Sequence, residues 1–551
     1  MLFQNVKIRE KLKKNKSLAW KSALSKIFFC IFVVVFSIVL NNCRATKVNL
    51  QKLAPNNTIV YLETNDLEKV LESLTENQAF RELTAQTPDF SPLENVQLAI
   101  AVTSFETSEN QVTNENSILN FTPRFVAVAE THRWQWQTVS LVENQLNNFV
   151  RRNYGAETEM EKSDKSDGKV FTWSAKNGRK VYAFVKGSRI YFGNDAAAIE
   201  KCSVQTGENE DSANGALPER AASINSENAL AFGYVSSEGI KQIADLAGVS
   251  VAVETSEEAE AKSFIAGILP QILRNTTEEI FWTANKTERG IEDNYKVFLK
   301  SEVSAVIKET LTTAVSPTNS IDLLPADFFS TTRYNLKNPL IAWRSLLVLT
   351  AKNTDAWSSN LLIRFSGALL EPYGVANAES FLSSIDSEII TMQFDEGGEK
   401  SAAIVTVKNS EKLKNSIVKE INFQLPSTMQ FDATIWYSED KLIAAAFAED
   451  KFIFGESESV LKCLQARQSG ENFRKSPNFR RFVESRAVAV TLARDADSVN
   501  EIVEILAMKK KENRQLATFY TNETRFTDKG IERKTISDFG LIGIILKQLN
   551  R

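Results

Sequence analysis

The chain has 551 residues, 43% hydrophobic and 24% charged, with a formal net charge of −4. That balance excludes a disordered chain and leaves room for sizeable cores. The charge is unevenly divided: residues 1–44 hold nine Lys/Arg and one acid, while the remainder holds 56 basic and 68 acidic residues, and an acidic body repels phosphate backbones, so nucleic acid is excluded as a partner.

Residues 1–26 form a basic segment expected to stay in the cytoplasm, and an unbroken apolar run follows at 27–40. A positive flank before an apolar run directs membrane insertion with the basic end inside. Residues 27–42 therefore read as a signal anchor or the hydrophobic core of a signal peptide. At fourteen residues the run falls short of the ~20 that usually span a bilayer, although Lys26 can snorkel and Asn41 and Asn42 can sit in the interface. Leu40-Asn41-Asn42-Cys43 is similar to a bacterial lipobox, which makes Cys43 a candidate lipidation site, with Asn42 in place of the usual small residue. A retained anchor, a cleaved signal peptide and a lipoprotein signal all remain open. Each makes the membrane a partner of this segment and places the chain from about residue 45 onward outside the cytoplasm, in the periplasm or cell envelope.

The body alternates apolar strands, polar caps and amphipathic helices. Residues 58–63 lead through Asn65 and Asp66 into a helix predicted over 67–83. Residues 124–130 lead through Thr131 into a helix predicted to about 152, and 229–235 lead through Ser236 and Ser237 into another. In the second half, 402–407 precede Asn409 and 487–492 precede Asp495, after which Val499, Ile502, Val503 and Leu506 fall at helical spacing. Polar caps accept hydrogen bonds from the free N–H groups of a helix start, which explains their position. Lys176-Asn177-Gly178 between apolar runs signals a hairpin, so the sheet is predicted to be mainly antiparallel. Polar stretches at 107–119, 157–168 and 205–219 lack apolar periodicity and are expected to be exposed and mobile. Phe539, Ile542, Leu546 and Leu549 share one face of a terminal helix expected to dock on the second half.

The chain repeats itself. Residues 181–193 (VYAFVKGSRIYFG) match 443–455 (IAAAFAEDKFIFG), and each is followed by a helix ending in Lys-Cys, at Lys201-Cys202 and Lys462-Cys463. Residues 287–292 (TERGIE) match 527–532 (TDKGIE), with Gly290 and Gly530 read as hairpin residues. Leu-Ala-Pro55 and Leu-Pro325 open the two halves. The matches are collinear, so the expected class is α+β: a tandem duplication of a module with a mainly antiparallel sheet and helices on one face. The expected division is 50–310 for the first repeat, 311–320 for a linker carrying Pro317, and 321–551 for the second.

Chemistry is sparse. His132 is the single histidine, so a Ser-His or Cys-His catalytic pair must use it, and no nucleophile motif accompanies it. A His-based metal site is excluded by count, no C-x-x-C pair exists, and both phosphate-loop patterns are absent. The expectation is therefore no catalytic, cofactor-binding or metal residue and no cofactor. The acidic run 254–260 reads as a helix start, with Thr255 and Glu258 as a capping box. Cys202 and Cys463 read as buried free thiols. Trp134, Trp136, Trp173 and Trp282 read as aromatic core or, alternatively, as a ligand surface.

The Leu-x-Pro opening, the strand–turn–strand ending in Phe-Gly with a helix after it, and the basic–apolar N-terminus together resemble one uncharacterised bacterial group, the domain of unknown function 3352 family. The resemblance covers most of the chain after residue 50 and implies an envelope protein; it carries over no site residue. The function expected is a membrane-tethered, non-enzymatic binding or scaffolding module of the cell envelope, with a protein or peptide partner in the cleft between the repeats. The alternatives are a carboxylate-dependent hydrolase of envelope polymers and a carrier of a hydrophobic ligand.

Overall fold

A computed structural model describes residues 47–549 except 112–116, 205–216, 225–227, 256–267, 269, 315–319, 369, 371–372, 477 and 507–517. The N-terminal segment with Cys43, and residues 315–319 of the expected linker, lie outside the described residues.

The first repeat supplies β1 (Val60–Thr64), β2 (Gln97–Gln111), β3 (Ser117–Glu130), β4 (Glu159–Lys165), β5 (Gly168–Ser174), β6 (Lys180–Lys186), β7 (Arg189–Gly193), β8 (Ala231–Val235), β9 (Thr277–Thr287) and β10 (Gly290–Leu299). The second supplies β11 (Ser330–Asn335), β12 (Ile385–Gln393), β13 (Ser401–Val407), β14 (Thr428–Gln430), β15 (Ala433–Tyr437), β16 (Ile443–Ala448), β17 (Lys451–Glu456), β18 (Ala489–Arg494), β19 (Phe519–Thr527) and β20 (Gly530–Ser537). All twenty join one sheet, and every pairing is antiparallel. From one edge to the centre the order is β4-β5-β6-β7-β3-β2-β1-β8-β9-β10. From the other edge inward it is β14-β15-β16-β17-β13-β12-β11-β18-β19-β20, the same connectivity strand for strand. The duplication is thus written in the topology, and the α+β class with an antiparallel sheet holds.

The two copies meet where β10 pairs with β20. Ile291 lies opposite Ser537 and Val297 opposite Ile531, so equivalent residues exchange places across a local two-fold axis. Gly290 and Gly530 begin these strands after two-residue turns, and both hold positive φ, 124° and 142°. A Cβ on Gly290 would come 2.4 Å from the Ser537 carbonyl oxygen, and one on Gly530 2.1 Å from that of Val297. The matching T-x-x-G-I-E segments are therefore seam residues as well as hairpin residues: only glycine lets the other copy approach this closely.

Helices pack on both faces in each repeat, a correction to the expected single face. Along β2, Leu98 and Ile100 join one core with the helices Leu67–Thr75, Gln78–Leu83, Gln135–Leu141 and Asn147–Tyr154. Ala99 and Ala101 join another, with Leu50, Leu53 and the helix Ala196–Val204. The second repeat has the same pair of cores: Val405, Phe381 and Leu413 on one face, and Ile404, Val460 and Cys463 on the other. Alternation of side chains along a strand allows this only because both sets are apolar.

The terminal helix Gly540–Leu549 docks on the second half as expected, against the helix Ala496–Leu506, where Lys547 Nζ pairs with Glu501 at 3.1 Å. It also reaches across the seam: Phe539, Ile542 and Leu546 share one core with Val499, Ile502 and Val503 and with Trp282, Ala284 and Ile291 of the first repeat. β20 runs antiparallel to β10, so the chain leaving it passes over the neighbouring copy. In return the helix Ser301–Thr310, which follows β10, buries Val303 and Ile307 with Ala342 and Leu349 of the second repeat. Asp293 on β10 holds the exchange. It is 2% exposed, accepts from the Leu541 N–H at 2.8 Å through one oxygen, and from Trp282 Nε1 at 2.8 Å through the other.

Several local expectations change. Helix 67–83 is broken in two, with Asn77 capping the second part through the Phe80 N–H. The polar stretch near 107–119 largely extends β2 and β3, and that at 157–168 forms β4, an edge strand exposed along its length. Glu159, Glu161, Lys162 and Asp164 suit an edge because charge there opposes pairing with another chain.

Two predictions follow from the seam. Gly530→Ala should lower stability by roughly 2–4 kcal/mol in denaturant unfolding, whereas Gly470→Ala, at a helix end with no atom within 4 Å of a new Cβ, should cost only about 1 kcal/mol. Burial pushes the Asp293 carboxyl up to about 6. A carboxyl with a raised folded value binds its proton more tightly folded than unfolded, so this group penalises the fold above about pH 6, and the penalty is relieved as pH falls toward the ordinary carboxylate range. Relative to Asp293→Asn, the native chain should therefore gain roughly 2–3 kcal/mol between about pH 7 and pH 4, measured by chemical unfolding at each pH.

Candidate functional site

The helices that cross the seam lie on one face of the sheet, together with Ile291, Val297 and Ile531. On the opposite face the two copies' helices stand apart, and the central strands form a polar channel between them. Its floor is Glu292, Asn294 and Lys296 of β10, Glu532 and Lys534 of β20, and Glu523 and Arg525 of β19. A depression of about 210 Å³ lies over this floor.

Each wall is a short helix that sends an arginine to the floor. From Glu219–Ile224, Arg220 Nη1 reaches Glu279 Oε2 at 3.3 Å, and its guanidinium lies 4.8 Å from the Phe298 ring centre. From Phe479–Glu484, Arg481 Nε reaches Glu523 Oε1 at 3.3 Å. Arg525 Nη2 takes the other Glu523 oxygen at 3.0 Å, and Lys534 Nζ pairs with Glu292 at 2.5 Å. Lys296 and Glu532 are exposed and stand opposite each other in the ladder. Five cations thus alternate with four carboxylates. Such a mosaic presents hydrogen-bonding groups of both signs to solvent. Its residues escaped the sequence reading because ordinary strand alternation placed them, and no motif marks them.

The residues singled out in the sequence are dispersed. His132 follows β3 in a left-handed conformation with φ 53°. Its N–H donates to Glu130 Oε1 at 2.9 Å, and its Nε2 lies 3.2 Å from Gln97 Oε1. Glu130 is 2% exposed and pairs with Arg189 Nε at 2.9 Å. Burial holds the imidazole below the usual histidine range, against the pull of Glu130. This neutral histidine closes a structural polar cluster.

Cys202 and Cys463 are free, fully buried and in different cores, and burial pushes both thiols up to about 12. The adjacent Lys201 and Lys462 line open depressions at equivalent places in the two repeats, of about 690 and 380 Å³. Trp173 and Trp282 are core, donating to Asn147 at 3.0 Å and to Asp293 at 2.8 Å, whereas Trp134 and Trp136 stand out in solvent. In the acidic run 254–260, Glu254 and Thr255 are the last residues of the helix Ser237–Thr255, and 256–260, with the Glu258 of the expected capping box, lie outside the described residues. Among the described residues no group of three or more His, Cys, Asp or Glu is arranged to hold a metal ion, and no helix is long and apolar enough to cross a membrane.

No family model matches the chain, and no curated protein matches it. Among solved structures, one titled "Structure of crystal form I of TP0453" aligns with 43% of this chain and 98% of its own, at 9% identity and a TM-score of 0.22. A likeness that weak carries no argument about fold or function.

The polar cluster yields a prediction. Glu130→Ala removes the partner of Arg189 and the acceptor of the His132 N–H, and should cost about 2–3 kcal/mol in unfolding experiments.

Proposed function

We propose that this protein is a membrane-tethered extracytoplasmic module of the cell envelope that binds or scaffolds a protein or peptide partner along the channel at the seam of its two repeats. The observation that carries the reading is the charged surface of β10, β20 and β19 between the two helices that send down Arg220 and Arg481, with Lys296 and Glu532 exposed at its centre. The basic and apolar N-terminal sequence supports the tether and the compartment. The resemblance to the domain of unknown function 3352 family agrees with an envelope role and supplies no site residue.

No observation favours the hydrolase or the carrier. Glu63, Glu279, Asp293 and Asp538 are the more deeply buried carboxyls pushed upward by burial, and they line neither the seam depression nor the depressions beside Lys201, Lys462 and Lys352. Those depressions are all open to solvent, unlike the enclosed apolar cavity a carrier needs.

The test replaces Lys296 or Glu532 by a photo-crosslinking residue in intact cells. The expected result is one recurrent adduct from these positions, lost on Arg525→Glu and absent when the probe sits on edge strand β4. Equal labelling from β4 sinks the channel as the docking site. A reporter enzyme fused after Arg551 should be active only outside the cytoplasm; activity confined to the cytosol sinks the location.

A further inference from the structure

The turn from β3 into the helix Gln135–Leu141 carries the two most exposed tryptophans of the described residues, Trp134 at 75% and Trp136 at 70%. The turn is held firmly. The Thr131 hydroxyl donates to the Ser188 carbonyl at 2.7 Å, the His132 N–H to Glu130 at 2.9 Å, and the Trp134 N–H to Gln137 Oε1 at 3.2 Å. Two large rings are therefore kept in water on a fixed backbone, which costs free energy unless something covers them.

Their position says what covers them. Gln97, which His132 Nε2 approaches, also clamps Val48: its Oε1 accepts from the Val48 N–H at 2.8 Å and its Nε2 donates to the Val48 carbonyl at 2.8 Å. The tryptophan turn thus adjoins the point where the chain enters the fold. The apolar run of the sequence ends at residue 40, and eight residue steps reach at most about 28 Å.

The second repeat provides the comparison. Thr406–Lys451 ends its ladder where Glu130–Arg189 ends the first, and there Lys408 and Asn409 lead into the helix Ser410–Lys414 with no aromatic residue. The tryptophans occur only in the copy that follows the tether.

We propose that Trp134 and Trp136 rest in the interfacial layer of the membrane that holds the N-terminal segment, docking this end of the first repeat onto lipid. The inference rests on the tether of the proposed function. Indole suits that layer because its apolar body and N–H match a region that is half hydrocarbon and half water. Charge does not recruit this end to lipid: Arg133 donates to the Pro92 carbonyl at 3.2 Å, and Asp66, Glu72, Asp89 and Glu94 together bear on Glu68. Docking should accordingly persist at high salt.

The experiment reconstitutes the full chain in phosphatidylcholine–phosphatidylglycerol vesicles containing lipid brominated near the headgroup end of the acyl chain. Flotation reports the tether, and tryptophan quenching reports the turn. The expected result is flotation of both proteins and a quenched component in the native chain that is absent from Trp134→Ser/Trp136→Ser, at low and high salt alike. An unchanged melting temperature of the variant shows that its fold is intact. Flotation with equal quenching of the two proteins overturns the inference and leaves the tether standing. Failure to float overturns both. Protection of the two rings that disappears on dilution, with cross-links between copies through position 136, overturns it in favour of a second copy of this chain.

Discussion

The pairing of β10 with β20 is the constraint on which the rest of the molecule depends. Two antiparallel strands of equivalent sequence, joined so that Ile291 faces Ser537 and Val297 faces Ile531, impose a two-fold relation on everything attached to them. The ladders of both repeats become one sheet. Chains leaving the paired strands run in opposite directions, each over the other copy. The helix Gly540–Leu549 consequently completes a core of the first repeat, and Ser301–Thr310 completes one with the second. Neither repeat buries all of its own apolar surface without its neighbour. Gly290 and Gly530 permit the close approach, and Asp293 ties the exchanged terminal helix to the seam.

The same relation produces the channel. Both exchanged helices leave on one face and cover its two ends, Ile291 with Asp293 and Val297 with Ile531, while Arg533 between them stays exposed. The opposite face has cover only from elements farther out in each copy, and the central strands are left to solvent. Their side chains are polar because alternation along a strand sends one set inward and the next outward. Arg220 and Arg481 reach down from the flanking helices. A binding surface at a symmetry axis needs no motif of its own, since it is assembled from residues that would be unremarked surface on an isolated module.

Duplication preserves the frame and releases the details. The Phe-Gly hairpins, the Lys-Cys helices and the seam glycines recur because the sheet, the cores and the close approach of strands require them. The Gln97–His132–Glu130–Arg189 cluster does not recur. Its counterpart at the ladder end is Thr406 with Lys451, joined at 2.9 Å. The first copy alone receives an incoming N-terminal chain, and its polar cluster clamps Val48.

Sequence patterning alone determined the α+β class, the duplication, the antiparallel sheet, the buried thiols and the helix carrying Val499, Ile502, Val503 and Leu506. Each depends on short-range regularities: period two along strands, period three to four along helices, glycine and asparagine at turns, and identity between distant copies. Tertiary structure decided that helices cover both faces, that the last helix reaches the first repeat's core besides docking on its own repeat, that Trp173 and Trp282 are interior while Trp134 and Trp136 are outside, and that a charged channel lies at the seam. These follow from how the two copies lie against each other. That arrangement is an energy of contact between residues some 240 positions apart, as Gly290 is from Gly530, and no local periodicity encodes it.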